Sequence, residues 1–194
     1  MKVQNVGIFF DRDGTLNTEV DYLSRPEELT LLPGAARSIR EANEAGVKVF
    51  VITNQSGIAR GFFSEADLGG IHERLKRLLA LEGAHIDKIY YCPHHPTFGI
   101  PPYRVDCTCR KPNTGMVEQA AREFNINLLN SFVVGDRCID VQTGERAGCG
   151  TILVRTGYGA TEASECGKIS RVDHIAEDVY DAWRYIKRQL RIRH

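Results

Sequence analysis

The stretch VGIFFDRDGT, residues 6–15, anchors the reading of the whole chain. Residues 6–10 form a short, continuous apolar run, partly β-branched, which is the pattern of a buried strand. Two carboxylates, Asp11 and Asp13, follow at once, and Gly14 behind them permits a tight turn. Strands that end in polar residues recur downstream, so this unit sets the fold.

Working outward, helical patterns alternate with short apolar runs. Residues 34–45 read as a helix between Pro33 and Gly46, and residues 47–53 (VKVFVIT) as a second strand. Ser64 caps a long helix to about Leu81, with Glu65 and Asp67 in the first turn where the helix dipole favours acids. Residues 86–92 are a third strand, and residues 93–112 an irregular stretch rich in Pro, Cys and His. Residues 114–124 are helical, residues 131–136 form a fourth strand followed by a helix to about Ala147, and residues 151–155 form a fifth. A glycine-containing loop then leads to a closing helix over residues 177–190. This alternation predicts an α/β fold, a Rossmann-like three-layer sandwich around a central parallel sheet. We expect one domain over residues 1–194 with a small insert near residues 92–110. No large insert separates the Asp pair from VITN, so no large cap domain is expected there. Ligands of such sheets sit beyond the carboxyl ends of the strands.

Composition narrows the function. The chain has 194 residues, with 25 Lys+Arg against 25 Asp+Glu. That balance argues against nucleic-acid binding, which leaves a basic footprint. No apolar run approaches the ~20 residues needed to cross a bilayer, and the first residues lack the pattern of a signal peptide. A cytoplasmic protein with no membrane or nucleic-acid partner is expected, and a monomer.

The strand ends carry the chemistry. Of two carboxylates two residues apart, one can attack while the other gives and takes a proton. Thr53-Asn54-Gln55-Ser56 offers a hydroxyl, amides and backbone N–H groups to an oxyanion. Arg110-Lys111-Pro112 places two cations at a helix N-terminus, again suited to phosphate. Asp136, with Asp140 close behind, can join Asp11 around a hard cation such as Mg²⁺. Each feature alone fits a turn or a cap; four strand ends in this order do not.

Six cysteines are present, and a disulfide framework is not expected of them in a reducing compartment. Cys92, Cys107 and Cys109 crowd the irregular stretch. With His94 they form a C-x-H and a C-x-C pair, a donor set for a closed tetrahedral Zn²⁺ site. His95 is the rival ligand. Cys138 and Cys149 read as small apolar fillers, and Cys166 as an exposed residue of a polar tail. Trp183 and Tyr180 read as core of the last helix, and KRQLRIRH as a solvated end.

Taken in order, FFDRDGT, VITN, RKP and VVGDRCID resemble the haloacid dehalogenase (HAD) superfamily of phosphotransferases. The resemblance implies Asp11 as the nucleophile that forms an aspartyl-phosphate and Asp13 as general acid and base. Thr53 and Lys111 would steady the phosphoryl group. Mg²⁺ would be held by Asp11, the backbone carbonyl of Asp13, and Asp136. CPHHP…DCTCRKP, with GIARGFF before it, looks like the D-glycero-D-manno-heptose-1,7-bisphosphate 7-phosphatases. The histidinol-phosphate phosphatases, with a similar zinc loop, are the alternative. The heptose resemblance implies a small sugar-phosphate substrate that loses its C7 phosphate, in nucleotide-activated heptose synthesis for lipopolysaccharide or another surface glycan. It places the stretches Asn17 to Tyr22 and Thr53 to Ser56 (with Asn54 and Gln55) along the substrate, with Arg110 and Arg137 as further contacts. Arg137 departs from the Lys that related sequences often carry, which keeps charge but not geometry.

Overall fold

The computed structural model describes residues 4–192. Six parallel strands form one sheet: β1 (Gly7–Phe10), β2 (Lys48–Asn54), β3 (Lys88–Cys92), β4 (Phe132–Gly135), β5 (Gly150–Val154) and β6 (His174–Ala176), in the order β3-β2-β1-β4-β5-β6. Helices α1 (Ala35–Glu44), α2 (Glu65–Leu81), α3 (Gly115–Phe124), α4 (Cys138–Ala147), α5 (Gly159–Ile169) and α6 (Val179–Gln189) cover both faces. The expected α/β three-layer sandwich is what forms, and no large cap is present among the described residues.

The layers follow from alternation along the strands. Ile8, Phe10, Val49, Val51, Val134 and Ile152 face Ile39 of α1, Ile71 and Leu75 of α2, and Trp183 and Ile186 of α6. On the other face, Phe9, Phe50 and Val133 meet Met116 and Val117 of α3, while Leu153 meets Val141 of α4 and Ala163 of α5. Trp183 is core, as expected, and its Nε1 donates to Glu41 Oε2 at 2.9 Å. A reciprocal box starts α2: Ser64 Oγ accepts from the Asp67 N–H, and Asp67 Oδ2 accepts from the Ser64 N–H at 2.8 Å.

Two expectations need correction. The loop after β5 contains a helix and a strand, α5 and β6. Their signal is weak because α5 buries only Gly159, Ala163 and Cys166, and β6 is a three-residue edge strand with Ile175 exposed. The cysteines are not all reduced. Cys138, at the start of α4, is disulfide-bonded to Cys166, whose Cα lies 5.3 Å away; Cys166 is buried rather than exposed. The closing helix forms as expected, as α6 (Val179–Gln189); Arg193 and His194 lie outside the described residues. Cys149 is the buried free thiol expected of it.

With every strand parallel, all carboxyl ends meet at one rim of the sheet. Phe10 pairs with Val51 on one side and Val134 on the other, so the residues that follow them converge.

Candidate active site and metal centre

Asp11 is the first residue beyond β1, and its N–H donates to the Val134 carbonyl at 2.9 Å. That bond extends the β1–β4 pairing and fixes the side chain at the rim. Lys111 reaches the same point from the loop before α3. Its Nζ, almost fully buried, lies 2.8 Å from Asp11 Oδ1 and 2.6 Å from Asp140 Oδ1. Burial pushes the lysine towards neutrality, but the two carboxylates outweigh it and hold its pKa above the ordinary range. Asn54 sets the height of Lys111. Its amide donates to the Lys111 carbonyl at 3.1 Å and accepts from the Lys111 N–H at 3.0 Å.

Asp136 stands just beyond β4. Its Oδ2 accepts from the Tyr158 N–H at 2.8 Å, while Oδ1 is buried with no hydrogen-bond partner. Two loops close tightly on it. A Cβ on Gly14 would lie 2.3 Å, and one on Gly157 2.1 Å, from Asp136 Oδ2, and both glycines have positive φ. Thr156 Oγ1 ties those loops by donating to the Gly14 carbonyl at 2.6 Å. Oxygens of Asp11, Asp136 and Asp140 all lie within 4.8 Å of one another. Burial, with Lys111 opposing and Asp140 assisting, raises the Asp11 pKa to about 7. Burial with the charges of Asp11 and Asp140 raises that of Asp136 to about 8. Buried acids crowded this way, one with a free oxygen, suit a hard divalent cation.

The Asp13 carboxylate turns away from this cluster. Arg12 grips it with a fork, Nε to Oδ1 at 3.0 Å and Nη2 to Oδ2 at 2.7 Å. Asn17 Nδ2 donates to Oδ1 at 2.9 Å and Gln55 Nε2 to Oδ2 at 3.0 Å. Burial alone would raise its pKa; Arg12 and these hydrogen bonds more than reverse that, and the pKa is lowered.

A cavity of about 210 Å³ opens over these groups. Asp11, Asp13, Thr53, Asn54, Gln55, Ser56, Tyr22, Arg110, Lys111 and Arg137 line it. Asn17, expected along the substrate, does not: it is fully buried beneath the cavity with its amide on Asp13. Two groups were not singled out by their residue type. Asp140 is visible only as a second acid behind Asp136. Tyr158 lies beyond β5, where chemistry was expected but no residue stood out. Glu19 and Asp21, within the Asn17-to-Tyr22 stretch expected along the substrate, line the cavity beside Tyr22.

The second constellation is a compact knot. Cys92 and Cys107 Sγ are 3.5 Å apart, Cys107 and Cys109 Sγ 3.2 Å, and His94 Nδ1 lies 3.4 Å from Cys109 and 3.8 Å from Cys92. A tetrahedron with ~2.3 Å metal–sulfur arms has edges of roughly 3.8 Å, so these donors need only slight expansion to enclose Zn²⁺. The choice of histidine follows from geometry. His95 Nδ1 accepts from the N–H groups of Thr97 and Phe98, both at 3.2 Å, and so shapes the loop instead. The knot touches the cavity directly, since Arg110 Nη1 donates to the His94 carbonyl at 3.2 Å.

Residues 108–182 match the HAD-hydrolase-like family. A D-glycero-D-manno-heptose-1,7-bisphosphate 7-phosphatase of Chlorobaculum tepidum is 42% identical over 181 residues, 90% of each chain. The chain belongs to this heptose-bisphosphate phosphatase family. Membership decides between the two resemblances and carries the reaction class, phosphoric monoester hydrolysis. The D-glycero-beta-D-manno-heptose-1,7-bisphosphate 7-phosphatase of Escherichia coli is 38% identical over 94% of both chains. A solved D,D-heptose 1,7-bisphosphate phosphatase from B. bronchiseptica, complexed with magnesium and phosphate, superposes with a TM-score of 0.85 at 35% identity, covering 95% of this chain and 99% of that one.

Proposed function

We propose that the chain removes the C7 phosphate of D-glycero-D-manno-heptose 1,7-bisphosphate through an aspartyl-phosphate on Asp11, within nucleotide-activated heptose synthesis for a surface glycan. The observation that carries this is the single compact charge cluster, Asp11–Lys111–Asp140–Asp136, at the floor of a polar cavity. Asp11, the Asp13 backbone carbonyl and Asp136 would hold Mg²⁺, with Asp140 beside it; the bound cation supplies charge neutralisation between two mutually repelling anions. Lys111, with Thr53, steadies the phosphoryl oxygens, and Asn54 keeps the lysine at the required height. Asp11 attacks phosphorus in line with the departing oxygen. Asp13 protonates that oxygen and later takes a proton from the water that cleaves the acyl phosphate. The floor accepts one phosphoryl group, so the other phosphate must sit outside it. Arg110, held on the knot, and Arg137, paired with Glu162 at 3.2 Å, are the cations at hand. Binding there orients the reacting end. Cys92, His94, Cys107 and Cys109 would hold a structural Zn²⁺ that keeps Arg110 and Lys111 in place.

The test is ³¹P NMR of the product with wild type and Asp11→Asn. A surviving anomeric phosphate, and no turnover in the variant, are expected. A surviving primary phosphate overturns the regiochemistry, and near-normal turnover by Asp11→Asn overturns the nucleophile.

A further inference from the structure

Arg12, between Asp11 and Asp13 in sequence, carries a guanidinium with no solvent exposure. Such a group is costly to bury unless it is paired and hydrogen-bonded. Its Nε and Nη2 make the fork on Asp13. Its Nη1 meets His72 Nε2 at 3.4 Å. His72 comes from the buried side of α2, a different layer from the site. Arg12 can only donate, so His72 Nε2 accepts, which requires a neutral ring with its proton on Nδ1. Burial, with the charge of Arg12 beside it, keeps the ring neutral, its pKa lowered to about 3.

A carboxylate has about four lone-pair positions. Asp13 has four donors on them: two from Arg12, one from Asn17 and one from Gln55. No position is left for a departing substrate oxygen, so one donor must yield. Arg12 and Asn17 are fully buried and cannot leave. Gln55 lines the cavity, and its Nε2 already shares a second acceptor, Thr53 Oγ1, at 2.8 Å. Gln55 sits on Oδ2.

We propose that Arg12, seated by His72, is the positioning residue that presents Oδ2 of Asp13 to the leaving oxygen, and that Gln55 is the donor that gives way. This rests on the reading of Asp13 as proton donor. In the step itself, the P–O bond to the leaving group breaks as Asp11 Oδ bonds to phosphorus. The electron pair stays on the leaving oxygen, which takes a proton from Asp13 Oδ2, one that Asp13, ionised at rest, first collects from solvent water as Gln55 withdraws. The carboxylate then accepts a proton from the attacking water, which restores the acid for the next turnover. The fork keeps the carboxylate plane fixed through both transfers.

The test is leaving-group dependence, which a merely structural role would not move. kcat/KM covers only the steps through leaving-group departure, so it isolates the first transfer. It would be measured for heptose 1,7-bisphosphate and for 2,4-dinitrophenyl phosphate, whose phenolate leaves without a proton. Arg12→Lys keeps the charge and loses the fork. A loss on the order of 10²-fold on the sugar phosphate is expected, within the range that positioned proton transfer supplies, and at least tenfold less on the aryl ester. Equal losses on both substrates overturn the proposal. Asp13→Asn, run alongside, separates the underlying reading: equal losses there mean that Asp13 is not the donor at all. If circular dichroism shows Arg12→Lys unfolded, His72→Phe decides. It removes the ring nitrogen against Nη1, and the same skewed ratio supports the proposal where an unchanged ratio refutes it.

Discussion

The Cys138–Cys166 bond joins the first residue of α4 to α5 and closes a segment with a sequence separation of 28. Loop-closure entropy for a segment of that length amounts to about 3.5 kcal/mol at 25 °C in the chain-entropy model. For a chain of this size each kcal/mol moves Tm by ~2–4 °C. Loss of the bond is therefore expected to lower Tm by roughly 7–14 °C. The perturbation is a double variant, Cys138→Ala with Cys166→Ala, melted beside wild type with and without a phosphine reductant. The double variant separates this bond from the free thiols Cys92, Cys107, Cys109 and Cys149. Because the Arg137–Glu162 pair and the hydrogen bond from the Cys138 N–H to Glu162 span the same two helices, activity well below Tm is expected to survive. If oxidised wild type, reduced wild type and the double variant all melt together, the bond contributes nothing and the reasoning fails.

Other outcomes are expected from the same geometry. Arg110→Ala should lower kcat/KM for the bisphosphate by ~10–150-fold, the worth of one charge-assisted contact of ~1.5–3 kcal/mol, and spare an aryl phosphate; equal losses would place Arg110 on the reacting phosphate or in the fold. Asn54→Ala removes both bonds to the Lys111 backbone and should cut kcat more than KM, which steady-state kinetics on either substrate would show. Without divalent cation, Asp11 and Asp136 hold protons in the folded state that the unfolded chain has already lost, their folded pKa values being about 7 and 8 against 3.8. Stability should then fall as pH rises from about 4 to 8, and added Mg²⁺ should stabilise more at pH 8 than at pH 6; thermal melts on a pH series test the sign. Cys107→Ser should reduce zinc content by elemental analysis and depress activity through the misplacement of Arg110 and Lys111.

The site was legible where chemistry sits at the end of a strongly apolar strand. Residues 6–10 and 131–134 can only be buried strands, and so Asp11 and Asp136 had to meet at one rim. The knot was legible because three cysteines within one short segment have few other uses. What escaped was of a different kind. Asn17 looks like a polar loop residue, and nothing local says that its amide will turn inward to Asp13. Disulfide pairing depends on two helices meeting face to face, and α5 carries too few apolar residues to announce that it is a helix. Nothing in the local sequence singles out Arg12; only the packing of α2 against it, through His72, shows what its Nη1 meets. Local pattern reveals strands and clustered donors. It does not reveal which side chain of a loop points down.

The position of β1 between β2 and β4 also bears on how activity arises during synthesis. The strand that leads to Asp11, β1 (Gly7–Phe10), is made well before its neighbour on one side, β4 (Phe132–Gly135). Until residues 132–136 have emerged and paired, Asp11 has no Val134 carbonyl to hold it and no Asp136 beside it. Lys111 has Asp140 as a partner only after α4 forms. The charge cluster is thus incomplete until residues 132–140 are made and paired, and the onset of phosphate release on refolding serves as a clock for closure of the sheet's centre.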